Sequence, residues 1–107
     1  MNKIGVSANM NIELTVYLLQ SKPNSNGDKL EETKAIYKKV VHDNCKYLNA
    51  GDMIHIDNIN IVISHKRLNL ENGNLSIVSR FYYEDNGMDI DMAIESFEES
   101  GFVKKPV

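Results

Sequence analysis

His42 and Cys45, three residues apart, are followed by His55 and His65 in the spacing H-x2-C-x9-H-x9-H. Zinc takes thiolate and imidazole ligands tetrahedrally, so this set is the first that could do chemistry. Its spacing argues against a metal, because close-spaced ligand pairs normally sit on tight knuckle turns. His55 also alternates with Ile54 and Ile56, which puts it on the opposite face of any strand from those two residues. An edge-of-core cysteine beside three solvated histidines is the expected reading. A Cys45 nucleophile would need a base within hydrogen-bond reach and a lowered pKa. His42 could supply the base if both lie on a helix, but no oxyanion-stabilising loop follows. The sequence has no G-x-S-x-G, no glycine-rich phosphate loop and no H-E-x-x-H. The expectation is a protein that is not an enzyme, with no catalytic residue, metal or cofactor.

A second set is acidic. Glu84, Asp85, Asp89, Asp91, Glu95, Glu98 and Glu99 follow one another with no basic residue between them. Asp85-Asn86-Gly87 places its glycine ahead of the alternating aspartates, where a calcium loop would need it among the ligands. A solvated acidic surface is expected instead. The whole chain carries only −3, so the remainder is net positive. These seven carboxylates are the candidate partner-binding residues.

The elements that must position these groups are read from periodicity. The 107 residues, 42% hydrophobic and 25% charged, fit one domain over 1–107. A single cysteine excludes an internal disulfide, and no apolar run is long enough to span a membrane. Residues 1–10 are weakly patterned and read as a loosely ordered arm. Ile12, Leu14, Val16 and Leu18 alternate with Glu13, Thr15, Tyr17 and Leu19, the signature of a half-buried strand.

From Asp28 to Leu48 the sequence predicts a long amphipathic helix. Leu30, Tyr37, Val41 and Leu48 form its apolar stripe, Asp28 and Glu31 a capping box, and Asn49-Ala50-Gly51 its stop. A β-meander follows: Met53 to Ile56, a turn at Asp57-Asn58, Ile59 to about Leu70, a type I′ turn at Asn72-Gly73, and Leu75 to Tyr83. The parity of Ile59, Ile61 and Ile63 conflicts with that of Leu68 and Leu70. A β-bulge between Ser64 and Arg67 would resolve it. Ile90, Ala93, Ile94 and Phe97 predict a second helix over about 89–100, capped by Asp89 and stopped at Gly101-Phe102. Residues 103–107 read as a loose tail. The expected class is α+β, two-layer, with a mainly antiparallel sheet in the order β-α-β-β-β-α and two helices on one face.

The stretch from Asp28 to Ser100, read as α-β-β-β-α, matches the element order of double-stranded-RNA-binding domains. Those domains need lysines at the start of the last helix, where this chain has Asp89 and Asp91. A patch of Lys34, Lys38, Lys39, Lys66, Arg67, Arg80 and Tyr82 keeps a nucleic-acid-binding regulator as the alternative reading. Tyr17, Leu19, Val62, Val78 and Tyr82 on outer strand faces suggest a protein interface or a homodimer seam, or else a surface that the N-terminal arm covers. The favoured expectation is a small cytoplasmic, non-enzymatic inhibitor or regulator that binds another protein. Its acidic helix would occupy the partner's basic groove. Short, motif-poor chains rich in Asn, Ile and Lys suit a phage or other mobile element.

Overall fold

The computed structural model describes residues 12–23, 27 and 29–106. The arm expected over 1–10, the cap at Asp28 and the terminal Val107 lie outside the described residues. Strand β1 (Ile12–Pro23) forms a long hairpin with β2 (Lys29–Val41). Strands β3 (Met53–Ile56), β4 (Ile59–Leu68) and β5 (Leu75–Tyr82) form the expected meander. Helix α1 (Ile90–Glu99) and a short β6 (Val103–Lys104) complete the chain. The six strands make one sheet in the order β3-β4-β5-β1-β2-β6. Hairpin and meander are each antiparallel, and they join along β1 and β5, which run parallel. Among the described residues the domain is α+β, with a mixed sheet and one α-helix rather than a mainly antiparallel sheet and two helices.

The expected helix over Asp28–Leu48 is the main correction. Lys29–Val41 is a strand, and a 3-10 turn follows at Asp43–Tyr47. Tyr37 and Val41 stand four apart, a spacing that fits one helical stripe and one strand face equally well. Thr33, Ile36, Tyr37, Val40 and Val41 are β-branched or aromatic, and β1 offers them a full-length partner. Ala35 and Tyr37 are therefore buried on alternate positions, with Ile36 between them and Lys38 after them half-buried. This strand also removes the element order shared with double-stranded-RNA-binding domains.

On β1 the expected alternation holds: Ile12, Leu14, Val16 and Leu18 are buried against the core. Leu19 is buried too, but outside this core, on the opposite face with Tyr17 and Val78; the β1–β2 register shifts between Leu18 and Leu19. The β4–β5 register shifts between Ile63 and His65, so Ser64 is the extra residue of a bulge at the start of the expected interval. The buried Ser79 hydroxyl donates to the Val62 carbonyl at 2.5 Å, a bond that satisfies a polar group beside the bulge. Beyond it, Lys66 faces Ile77 and Leu68 faces Leu75. The predicted type I′ turn is absent. Asn69 to Asn74 form a six-residue loop closed by Asn69 N to Asn74 O at 2.9 Å, and Leu70 is exposed.

Helix α1 follows its sequence signals closely. Asp89 accepts from the Met92 N–H at 2.8 Å as the N-cap. At the other end Gly101 has φ 88°, and Phe102 N donates to Phe97 O at 3.0 Å. That 6→1 bond satisfies a terminal carbonyl and turns Phe102 back into the core. The Phe97 ring lies stacked 5.5 Å from Tyr37 and edge-on to Phe81 and Phe102, at 5.1 and 5.0 Å. The expected loose tail is corrected as well. Lys104 and Val103 pair with Tyr37 and Lys38, and Lys105 N donates to Ile36 O at 2.7 Å.

Two outcomes test this architecture. Phe97→Ala should lower unfolding stability by about 3–5 kcal/mol in urea denaturation, since it empties a filled aromatic site. Far-ultraviolet circular dichroism should report a strand-dominated protein. A spectrum with helix over some thirty residues, the amount the Asp28–Leu48 helix and α1 would give together at roughly 3.6 residues per turn, would contradict β2.

Candidate functional site

The carboxylate segment spans a 3-10 turn at Tyr83–Asn86 and all of α1. Glu84, Asp85, Asp89, Asp91, Glu95, Glu98 and Glu99 are all solvent-exposed. The structure divides them by role. Asp89 is committed to the helix cap, and Glu98 accepts a hydrogen bond from the Tyr37 hydroxyl at 3.2 Å. Burial and the Glu98 carboxylate push that hydroxyl up to about 12. Glu84, Asp85, Asp91, Glu95 and Glu99 make no ion pair among the described residues. Asp91, Glu95 and Glu99 recur every fourth residue, which sets their Cβ atoms about 6 Å apart in a row along the helix.

A row of carboxylates reaching the helix C-terminus opposes the macrodipole there. Lys39 compensates. It reaches from β2 to donate to the Ser100 carbonyl at 2.9 Å, with its ammonium 5.9 Å from the centre of the Phe102 ring. One member of the expected basic patch is thus a helix cap.

The rest of that patch separates. Lys66 donates to the Lys46 carbonyl at 3.0 Å, Lys34 pairs with Glu32 at 2.8 Å, and Lys38 lies 3.6 Å from Glu13. Arg67, Arg80 and Tyr82 do share a surface, the sheet face turned away from α1. His65, Tyr17, Leu19 and Val78 join them there. The register explains the grouping: Tyr17 pairs with Arg80 and Leu19 with Tyr82, while the Ser64 bulge puts His65 opposite Val78 and Arg67 opposite Ser76. Glu31, read from sequence as a capping residue, accepts from the Tyr82 hydroxyl and lies 3.7 Å from Arg80. That hydrogen bond raises the Tyr82 hydroxyl above its ordinary range. Lys105 was not marked by any sequence pattern, and only the pairing of the tail with β2 brings it to this face.

The histidine and cysteine set does not assemble. His42 accepts from the Asn44 N–H at 3.1 Å, which caps the 3-10 turn. His55 is 2.6 Å from the Asn60 amide oxygen, and His65 lies 3.4 Å from the Ser64 hydroxyl. Among the described residues, no three His, Cys, Asp or Glu side chains come together as metal ligands. Cys45 is half-buried against the core, and burial first, then the nearby Asp43 charge, pushes its thiol upward. Both causes disfavour the thiolate. No described helix is long and apolar enough to cross a membrane.

Two measurements follow from these environments. At pH 8, Cys45 should react with a disulfide reagent more slowly than a free thiol, and urea should abolish the difference; an accelerated reaction would signal an activated cysteine. The second concerns Tyr37. Folded, it keeps its proton up to about 12, whereas unfolded it ionises near 10. The folded state therefore binds the extra proton, and stability falls as pH rises from 10 through 12. This contribution is fully present below pH 10. Tyr37→Phe should flatten the alkaline slope relative to the wild type in urea denaturation.

No family model, no curated protein and no solved structure matches this chain.

Proposed function

We propose that this is a small non-enzymatic protein that binds and regulates another protein through its acidic helix. The observation that carries the reading is the row Asp91, Glu95 and Glu99, with Glu84 and Asp85 on the preceding turn. All five are exposed and without ion pairs among the described residues. Such a row presents regularly spaced negative charge on a rigid rod. A partner groove built to hold a polyanion matches it electrostatically, and occupying that groove blocks it. The protein then acts as an inhibitor by competition. Exposed Met92, next to Asp91 in sequence, adds an apolar contact beside the row.

The test separates binding charge from structural charge. Asp89 and Glu98 are left intact, because the first caps α1 and the second holds Tyr37. The variant Asp91→Lys, Glu95→Lys, Glu99→Lys should fold normally. A partner captured from the native host by the wild type should bind this variant at least about tenfold more weakly. Wild-type binding should also fall steeply between 50 and 500 mM salt, roughly as screening of exposed charge requires. An unchanged Kd for the triple variant would remove the acidic helix from the interface.

A further inference from the structure

We infer that the sheet face opposite α1 is a binding platform for single-stranded nucleic acid, independent of the acidic helix. Three cavities lie in a row across this face. The first, about 520 Å³, is lined by Met53, Asn60, Val62, Arg80, Tyr82 and Asp85. The second, about 350 Å³, is lined by Tyr17, Leu19, His65, Arg67, Val78 and Arg80. The third, about 460 Å³ and mostly apolar, is lined by Tyr17, Ile36, Lys105 and Pro106. Neighbouring cavities share a wall: Arg80 between the first and second, Tyr17 and Thr33 between the second and third.

This alternation suits a strand of nucleotides. Each cavity has a tyrosine in its wall, and tyrosine gives a base a flat, sequence-tolerant stacking partner. Arg80 stands between two of them, where the linking phosphate of two adjacent bases would lie. Arg67 and Lys105 are exposed, with no ion pair among the described residues, and supply further phosphate contacts. A duplex stacks its bases inside and cannot insert them, so the platform selects single strands. Glu31 competes for the same groups, since it holds the Tyr82 hydroxyl and lies beside Arg80. Binding must displace it, which makes Glu31 a brake on affinity.

Fluorescence anisotropy of a labelled ten-nucleotide oligothymidylate at 50 mM salt tests the proposal on the full chain. Binding is expected, with log K falling against log salt at a slope of about −2 if three phosphates are neutralised. Arg67→Gln and Arg80→Gln should each weaken binding and reduce that slope by about 0.7. Tyr17→Ala should weaken it at least about fivefold while Tyr17→Phe retains it, since the ring and not the hydroxyl stacks. Glu31→Gln should tighten it. The acidic-helix triple variant should bind at least as well as wild type, so this reading and the previous one fail separately. No binding at 50 mM salt, or binding insensitive to both arginine variants, overturns the platform. Equal competition by a polyglutamate peptide overturns it in favour of an acidic protein partner.

Discussion

The Phe97 ring is the constraint on which the rest of the molecule depends. It sits fully buried where α1 meets the sheet, stacked on Tyr37 from β2 and edge-on to Phe81 from β5 and Phe102 beyond the helix. These contacts tie together the two antiparallel units of the sheet, the hairpin through Tyr37 and the meander through Phe81. Aromatic pairs in such geometries add about 0.5–1.5 kcal/mol each beyond the area they bury. The ring also fixes the helix stop, because Phe102 can reach it only if Gly101 adopts its positive φ. A Cβ at Gly101 would lie 2.7 Å from the Lys39 ammonium, so a side chain there would strain the positive φ and push Lys39 off the helix end.

One helix on one face leaves the molecule electrostatically two-sided. Carboxylates line the solvent side of α1 and the turn before it, while Arg67, Arg80 and His65, with Glu31 among them, lie across the far face of the sheet. The separation follows from packing. The core face of the sheet is filled by Ile12, Leu14, Val16, Ile61, Ile63 and Ile77, leaving charge to the two outer surfaces. A modest net charge therefore conceals an uneven distribution of charge over the two outer surfaces.

Charged residues of one type do different jobs here. Asp89 caps a helix and Glu98 anchors a tyrosine, whereas Asp91, Glu95 and Glu99 have no such structural task. Lys39 serves the helix terminus, and Arg67 stands free of any ion pair among the described residues. The acidic run was visible in sequence as a block. Asp89's capping role was legible from its neighbours, but Glu98's was not, because its partner Tyr37 comes from β2, far along the chain.

Sequence by itself determined the elements whose signals are local. The alternation of β1, the cap, stripe and stop of α1, and the meander parity that demands a bulge near Ser64 all depend on neighbours within a few residues. Tertiary structure decided the rest. Lys29–Val41 carries apolar spacings that fit helix and strand alike, and the presence of β1 beside it chose strand. The tail became β6 because the edge of β2 offered it open hydrogen-bonding groups. Tyr17, Arg67 and Arg80 became neighbours only when β1 and β5 paired in parallel, a contact between segments some sixty residues apart that no local pattern encodes.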